Sequence, residues 1–338
     1  MPPSHGGSRR FKSYSAHHSQ ETPWFAERKR RSCRKDALSD LRFIVSLTND
    51  DNDYQIEQAA SAQAAARRLG ADVEILHAKN DAIEQSQQIL RVVQSSSSGS
   101  RPVAIVVEPV GTPLPQAARA AVSAGIGWVL LNRDADYLAG LRESSKVPVF
   151  AISSDHEEIG RIQGRQFAAL LPNGGTVLYI QGSAGDAAAG RTNGMLETKP
   201  ANIQTKMLRG NWTEESAQKA VSSWLRLSTS KDDSIDIVGA QDDSMAIGAR
   251  KAFHDDKSQG RPRWDRLLFT GCDGLPKTGQ TWVRNNILKA TVVVPANTGL
   301  ALEMVVKAIR TGVNPPETAF TDVSSYPAVE ALGPGKKK

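Results

Sequence analysis

The chain has 338 residues, 39% of them hydrophobic and 23% charged, which is enough for two domains with separate cores and is ordinary for a globular protein. It contains no run of eighteen apolar residues, which excludes a membrane-spanning helix. The net charge of +6 is concentrated at one end: residues 1–36 hold nine Lys/Arg against three Asp/Glu, and the remainder is balanced. This basic tail is rich in Ser, His and Arg and has no apolar periodicity, so the pattern predicts disorder over residues 1–40. A secretory leader needs roughly 7–15 apolar residues after its basic start; Pro23-Trp24-Phe25-Ala26 is the best candidate and is too short. Three readings fit the tail: a mis-assigned start codon, a true cytoplasmic extension, or a basic arm that touches nucleic acid or anionic lipid. Cys33 and Cys272 lie in unrelated contexts, so neither a disulfide nor a metal site is expected.

From residue 41 short β-rich runs alternate with helical patterns. Leu41–Leu47 reads as a buried strand, followed by an Ala-rich helix with Ala59, Ala62, Ala66 and Leu69 on one face and Gly70 as its stop. Strands follow at Val73–Leu76, Val103–Val107, Trp128–Leu131 and Val149–Ile152, with helices at Ile83–Val93 and around Ala117–Ala124. Ser95–Ser100 reads as a flexible connector. The cycle then restarts, with strands at Thr176–Ile180, Gln204–Leu208, Ile235–Ala240, Leu267–Thr270 and Ala290–Val294, and a helix at Thr298–Arg310. Repeated βαβ units imply parallel sheets covered on both faces. About ten strands is many for one open sheet, so two doubly wound α/β lobes are expected.

In such sheets ligands bind beyond the carboxyl ends of the strands. Those ends hold Asn49 to Tyr54, Asn132-Arg133-Asp134, Ser154-Asp155, Gln181 to Asp186 with Arg191, Asn211-Trp212, Gln241-Asp242-Asp243 and Asp273-Gly274. Carboxylates, amides and a rigid guanidinium fork suit the hydroxyls of a neutral ring, and Tyr54 and Trp212 suit its C–H faces. Buried polar groups that lose a partner cost about 1–3 kcal/mol each, so a site of this kind discriminates between epimers.

Five segments carry a resemblance. Gly271-Cys272-Asp273-Gly274 resembles the G-x-D-G turn of the ribose-binding protein family, and Gln241 to Ala249 resembles its Q-N-D-x-M-A-x-G-A segment. Gln181 to Gly185 with Arg191 to Gly194 is similar to its Q-G-x-x-G…R-x-x-G loop, Leu131-Asn132-Arg133 to its L-D-R element, and Ser154-Asp155 to its interlobe S-D pair. The likeness runs in order over residues 41–330. It implies the type I periplasmic binding protein fold: two lobes joined by a three-stranded hinge, with crossings near Ile152, Val294 and Asp322. The first lobe would take residues 41–152 and 295–321, the second 153–294 and 322–332.

The resemblance implies a monomeric, extracytoplasmic protein that closes on a small-molecule sugar without catalysis, needs no cofactor and hands its ligand to a membrane ABC permease or receptor. No nucleic-acid partner is expected. Arg191 and Asp273 would fall on the family's sugar-contacting pair, Asn132 and Arg133 on its first-lobe polar pair, and Trp212 and Tyr54 on its aromatic walls. Asn52 would be the first-loop amide. Asp242 stands where the family has Asn, and Val294 where it has a polar residue, so the sugar's identity does not transfer.

Structural roles compete at several of these positions. Ser154-Asp155-His156-Glu157 has capping-box spacing, Asp243 could cap the helix Ser244–Phe253, Arg191 could pair with Asp186, Trp212 could simply pack, and Asp273 could be a turn residue. Phosphate-loop, dinucleotide, nucleophile-elbow and H-E-x-x-H motifs are all missing from the sequence. Two functional alternatives remain. One is a lactose-repressor-like effector domain, which requires a helix-turn-helix that the first forty residues do not show. The other is a sugar sensor serving a membrane receptor.

Overall fold

The computed structural model describes residues 41–96, 101–112, 114–227, 234–255, 264 and 266–333. The expectation of disorder over 1–40 therefore lies outside the described residues, as do Cys33 and most of the Ser95–Ser100 connector.

Strand β1 (Arg42–Leu47) shows how the sequence sets the layers. Phe43, Val45 and Leu47 point to one side, against Ala62, Ala65 and Ala66 of α1 (Asp53–Leu69) and Leu302, Val305 and Val306 of α10 (Thr298–Thr311). Ile44 points to the other side, against Ile89 of α2 (Ala82–Ser95) and Ala117, Ala118 and Ala121 of α3 (Pro115–Ser123). A two-residue period inside a continuous apolar run is what a strand buried on both faces requires. Helix α1 starts at Asn52, whose side chain accepts from the Tyr54 and Gln55 amides, and stops at Gly70 in the left-handed conformation.

The remaining strands of the first sheet are β2 (Asp72–His77), β3 (Ala104–Val107), β4 (Gly127–Leu131), β5 (Val149–Ser154) and β11 (Thr318–Thr321). Their order is β11-β5-β4-β3-β1-β2, and every pair is parallel. The second sheet repeats the plan with β6 (Gly175–Gln181), β7 (Ile203–Arg209), β8 (Ile237–Ala240), β9 (Leu268–Asp273), β10 (Ala290–Val293) and β12 (Ser324–Tyr326), ordered β12-β10-β9-β8-β6-β7. Its helices are α5 (His156–Leu170), α6 (Asp186–Thr198), α7 (Glu214–Leu225), α8 (Asp243–Asp255) and the short α9 (Gly279–Arg284); α4 (Tyr137–Glu143) belongs to the first half. The two doubly wound sheets have the architecture of the type I periplasmic-binding-protein-like fold.

The sheets depart from the sequence expectation in two ways. There are twelve strands among the described residues rather than about ten, and β12 runs antiparallel to β10, closing the edge of an otherwise parallel sheet. The chain crosses between the sheets after β5, after β10 and between β11 and β12.

Each sheet reverses its winding between its first and third strands, β1 and β3 in one and β6 and β8 in the other. Both switch points present their carboxyl ends to loops that meet one another across the crossings, and this is where a doubly wound sheet binds its ligand.

Candidate functional site

Helices α5 and α6 approach so closely that only glycine fits between them. A β-carbon on Gly160 would stand 2.1 Å from the Arg191 carbonyl oxygen, and one on Gly194 would stand 1.9 Å from that of Glu157. This contact presses α6 inward and carries Arg191 into the cleft, where it is 6% exposed. Its Nη1 donates to the Gln241 carbonyl, its guanidinium lies 5.3 Å from the centre of the Trp212 ring, and its Nε has no partner. Gln241 supports the same wall: it accepts from the Gly182 amide at 2.9 Å and donates to the Ala188 carbonyl at 2.9 Å.

Trp212 adopts a positive φ of 62° and covers Gly182, where a β-carbon would fall 2.0 Å from Cε2. The indole also packs at the margin of the second-lobe core, so packing and cleft-lining coincide in one residue. Its carbonyl accepts from Asn52 Nδ2 at 3.2 Å, a bond that joins the two lobes. Asn52 therefore caps α1 with its oxygen and bridges the cleft with its nitrogen. Tyr54, two residues further on, donates to the Pro295 carbonyl at 3.4 Å. Burial, Glu108 and Asp273 all push its hydroxyl pKa upward while Arg191 pulls it down, so these charges act at one place.

On the first lobe Asn132 has φ 53°, donates to Glu108 Oε1 at 3.2 Å and accepts from Asn297 Nδ2 at 2.8 Å. Arg133 Nη1 stands 3.8 Å from Asp186 Oδ2 on the other lobe. The Arg191–Asp186 pair weighed from sequence is thus replaced by Arg133–Asp186. Arg191 points inward to Trp212 and Gln241, and Asp186, exposed at the start of α6, reaches the opposite wall.

Two caps also differ from expectation. Asp242, not Asp243, caps α8, accepting from the Met245 amide at 2.5 Å; its other oxygen, Oδ2, is buried and unpartnered, and the residue is 3% exposed. Asp243 instead turns under the sheet end, accepting from Thr291 Oγ1 at 2.7 Å and the Gly274 amide at 2.8 Å. At α5 the cap is Asp155, which accepts from the Glu158 amide at 2.9 Å, while Ser154 extends β5 and contacts Thr321 Oγ1 at 3.1 Å. In both cases the helix begins one residue away from the expected start. Asp273 ends β9 at φ 105°, a conformation rare for a residue with a side chain. Burial raises its carboxyl well above the ordinary range, as do Asp242, Asp243 and Asp53, and Arg191 opposes them.

Two cleft residues escaped the sequence reading. Glu108 directly follows β3 and receives Gln55 Nε2 at 3.1 Å as well as Asn132; burial raises its pKa and these donors lower it. The strand-end rule alone would have found it. His156 begins α5 and faces Arg191 and Arg133. Burial, then these two charges, lower its pKa to about 3. Neither ring nitrogen makes a hydrogen bond of normal geometry, although the Asn132 carbonyl is near enough to oppose the shift. No local pattern distinguishes this histidine from a helix-start residue.

No group of three or more metal-ligating side chains is assembled among the described residues. The site instead offers hydrogen-bonding atoms from both lobes beside an aromatic face, several of them buried without partners: Arg191 Nε, Asp242 Oδ2 and both nitrogens of His156. Native proteins satisfy nearly all such groups.

Two doubly wound lobes, three crossings and a polar cleft at both switch points define a hinged binding protein. The chain belongs to the periplasmic binding protein family, whose periplasmic binding protein domain matches residues 43–312. The D-apiose import binding protein of Paraburkholderia graminis is 26% identical over 275 residues, covering 79% of this chain and 81% of that one. The ribose import binding protein of Escherichia coli is 25% identical over 257 residues, covering 76% and 79%. Among solved structures, a solute-binding protein from Actinobacillus succinogenes with bound D-allose superposes with a TM-score of 0.73 at 20% identity, covering 86% of this chain and 99% of that one. The family is one of binding proteins, not enzymes.

Proposed function

We propose that the protein is a solute-binding protein that closes on a monosaccharide or similar polyol for ABC-type uptake, acting outside the cytoplasm as a monomer. The lobes are taken as residues 41–152 with 295–321 and 153–294 with 322–332. Within them Asn52, Tyr54, Asn132, Arg133, Arg191, Trp212, Asp242 and Asp273 form the binding set, joined by Glu108 and His156. The observation that supports this reading most is the convergence of unpartnered buried donors and acceptors on one aromatic-walled cleft between the lobes. A polyol offers each of these atoms a hydroxyl that can donate or accept. The sugars named for the relatives point to the same ligand class.

Ligand held by both lobes stabilises the closed arrangement by its differential affinity, which is all that a population shift requires. Asn52–Trp212 and Arg133–Asp186 are contacts that join the two lobes across the cleft. Thermal-shift screening of the full chain against pentoses, hexoses and acyclic polyols tests the reading. A bound member raises Tm by mass action, and Arg191→Ala removes the rise. A flat response across the whole panel contradicts the proposal.

A further inference from the structure

Asn297 stands at the N-cap of α10, a position whose side chain ordinarily accepts from the first free amides of the helix. Its side chain makes no capping bond. Helix α1 does that work instead: Gln58 Oε1 accepts from the Asn297 and Thr298 amides, both at 3.0 Å, and Ser61 Oγ accepts from the Gly299 amide at 3.3 Å. The Asn297 side chain, 0% exposed, is thereby released to face the first-lobe wall of the cleft. Burying an amide commits its donors and its acceptor, so its partners define its role.

The polarity of this row of amides is forced from its ends. Gln58 Oε1 receives two backbone N–H groups, so Nε2 is the atom that donates to Asn297 Oδ1 at 2.7 Å. Asn297 Nδ2 then faces the Ile152 carbonyl at 3.4 Å, which can only accept, and Asn132 Oδ1 at 2.8 Å. Asn132 accordingly turns Nδ2 to Glu108 Oε1 at 3.2 Å, and Glu108 Oε2 receives Gln55 Nε2 at 3.1 Å. Turning Asn132 over would set its oxygen against the Glu108 carboxylate and its nitrogen against Asn297 Nδ2. The Ile152 carbonyl also accepts from the Asn132 backbone amide at 2.9 Å. The strand before the first crossing and the segment after the second thus hold the same cleft residue.

We propose that Asn297 is a positioning residue of the binding site: held by Gln58, it fixes which end of the Asn132 amide the ligand meets. This rests on the polyol-binding reading and adds to it a residue outside the candidate set. An amide presented the wrong way round leaves a ligand hydroxyl unpaired, which is how a site of this kind tells epimers apart.

The test is calorimetry on the full chain with the tightest-binding polyol of the thermal-shift panel, in a cycle of Asn297 and Asn132 variants. Asn297→Asp keeps the acceptor for Gln58 and replaces the donor that faces Asn132. Asn297→Ala is neutral and removes both, and either variant alone completes the cycle. Asn132→Gly deletes the amide and tolerates the φ of 53°. Each Asn297 variant is expected to lose about threefold to tenfold in affinity, the scale of one hydrogen bond, but less than about twofold in the Asn132→Gly background. Equal losses in the two backgrounds overturn the inference, because Asn297 would then act through the fold rather than through Asn132. A second readout needs no ligand: NMR with isotopically labelled asparagine follows hydrogen exchange of the Asn132 side-chain amide, identified by its loss in Asn132→Gly. Exchange is expected to be at least about tenfold faster in either Asn297 variant, and unchanged exchange overturns the inference on its own. If no polyol binds the wild type, the polyol reading fails, and the exchange measurement still decides whether Asn297 fixes Asn132.

Discussion

The indole of Trp212 occupies the space in which a side chain at Gly182 would begin: a β-carbon there would stand 2.0 Å from Cε2 and 2.1 Å from Cζ2. Backbone at the end of β6 thus sets the height of the aromatic wall, while Gln241 holds the Gly182 amide from below. Gly182→Ala must therefore displace the ring. We expect a loss of ligand affinity of about tenfold or more with an unchanged circular dichroism spectrum, since overpacking of this kind costs roughly 1–3 kcal/mol and falls here on a group of the proposed binding set. Calorimetry on the variant checks it; wild-type affinity would show that the indole does not line the site.

Asp243 offers a prediction about stability. Burial raises its carboxyl from 3.8 to about 8, against the opposing pull of Thr291 and the Gly274 amide. A folded-state value above the unfolded one means that its contribution is complete below about pH 3.8 and is lost as pH rises through 8. Asp243→Asn keeps an acceptor for Gly274 and places a donor toward Thr291, so it should unfold within about 1 kcal/mol of wild type near pH 5 and fall less steeply toward pH 8. Asp243→Ala leaves the Gly274 amide unpaired, which costs about 1–3 kcal/mol, and releases the turn that holds Asp273 at φ 105°. Urea denaturation at pH 5 and pH 8 separates the three proteins, and parallel pH slopes for wild type and Asp243→Asn would contradict the assignment.

His156 works in the opposite direction. Its folded-state pKa is lowered from 6.5 to about 3 by burial beside Arg191 and Arg133. The folded protein binds fewer protons here than the unfolded chain, so this contribution is complete above about pH 6.5 and is lost as pH falls toward 3. His156→Asn, neutral throughout, should remove that part of the acid sensitivity, so the stability difference between variant and wild type grows in the variant's favour from pH 6.5 to pH 4. Chemical denaturation across that range measures it, and a pH-independent difference would mean that the imidazole titrates alike in the folded and unfolded chains.

Much of the architecture was legible because buried parallel strands announce themselves. Phe43-Ile44-Val45 and Val177-Leu178-Tyr179 are apolar on both faces, and Gly70 marks a helix end. Strands β11 and β12 were not legible, since Thr318–Thr321 and Ser324–Tyr326 are short, partly exposed edge segments without an apolar run. The candidate site residues could be proposed because they stand at strand ends, where ligands bind in this topology. Their partners could not: adjacent Asp242 and Asp243 are equally good caps on paper, and a shift of one residue in the helix start decides which carboxylate caps α8 and which accepts from Thr291. Likewise Asp186 could have met either arginine, and only the approach of α6 to α5 turns Arg191 inward and leaves Asp186 to Arg133.

The central claim is that one ligand is gripped from both lobes at once. Titration of wild type, Arg133→Ala, Arg191→Ala and the double variant with the tightest-binding sugar tests it directly. Each single variant should lose at least about tenfold in affinity, the scale of one hydrogen bond to a charged group, and the double variant should lose less than the two losses combined, because both act through the same closed state. If Arg133→Ala binds like wild type while Arg191→Ala does not, the ligand rests on one lobe alone and closure is not part of its recognition.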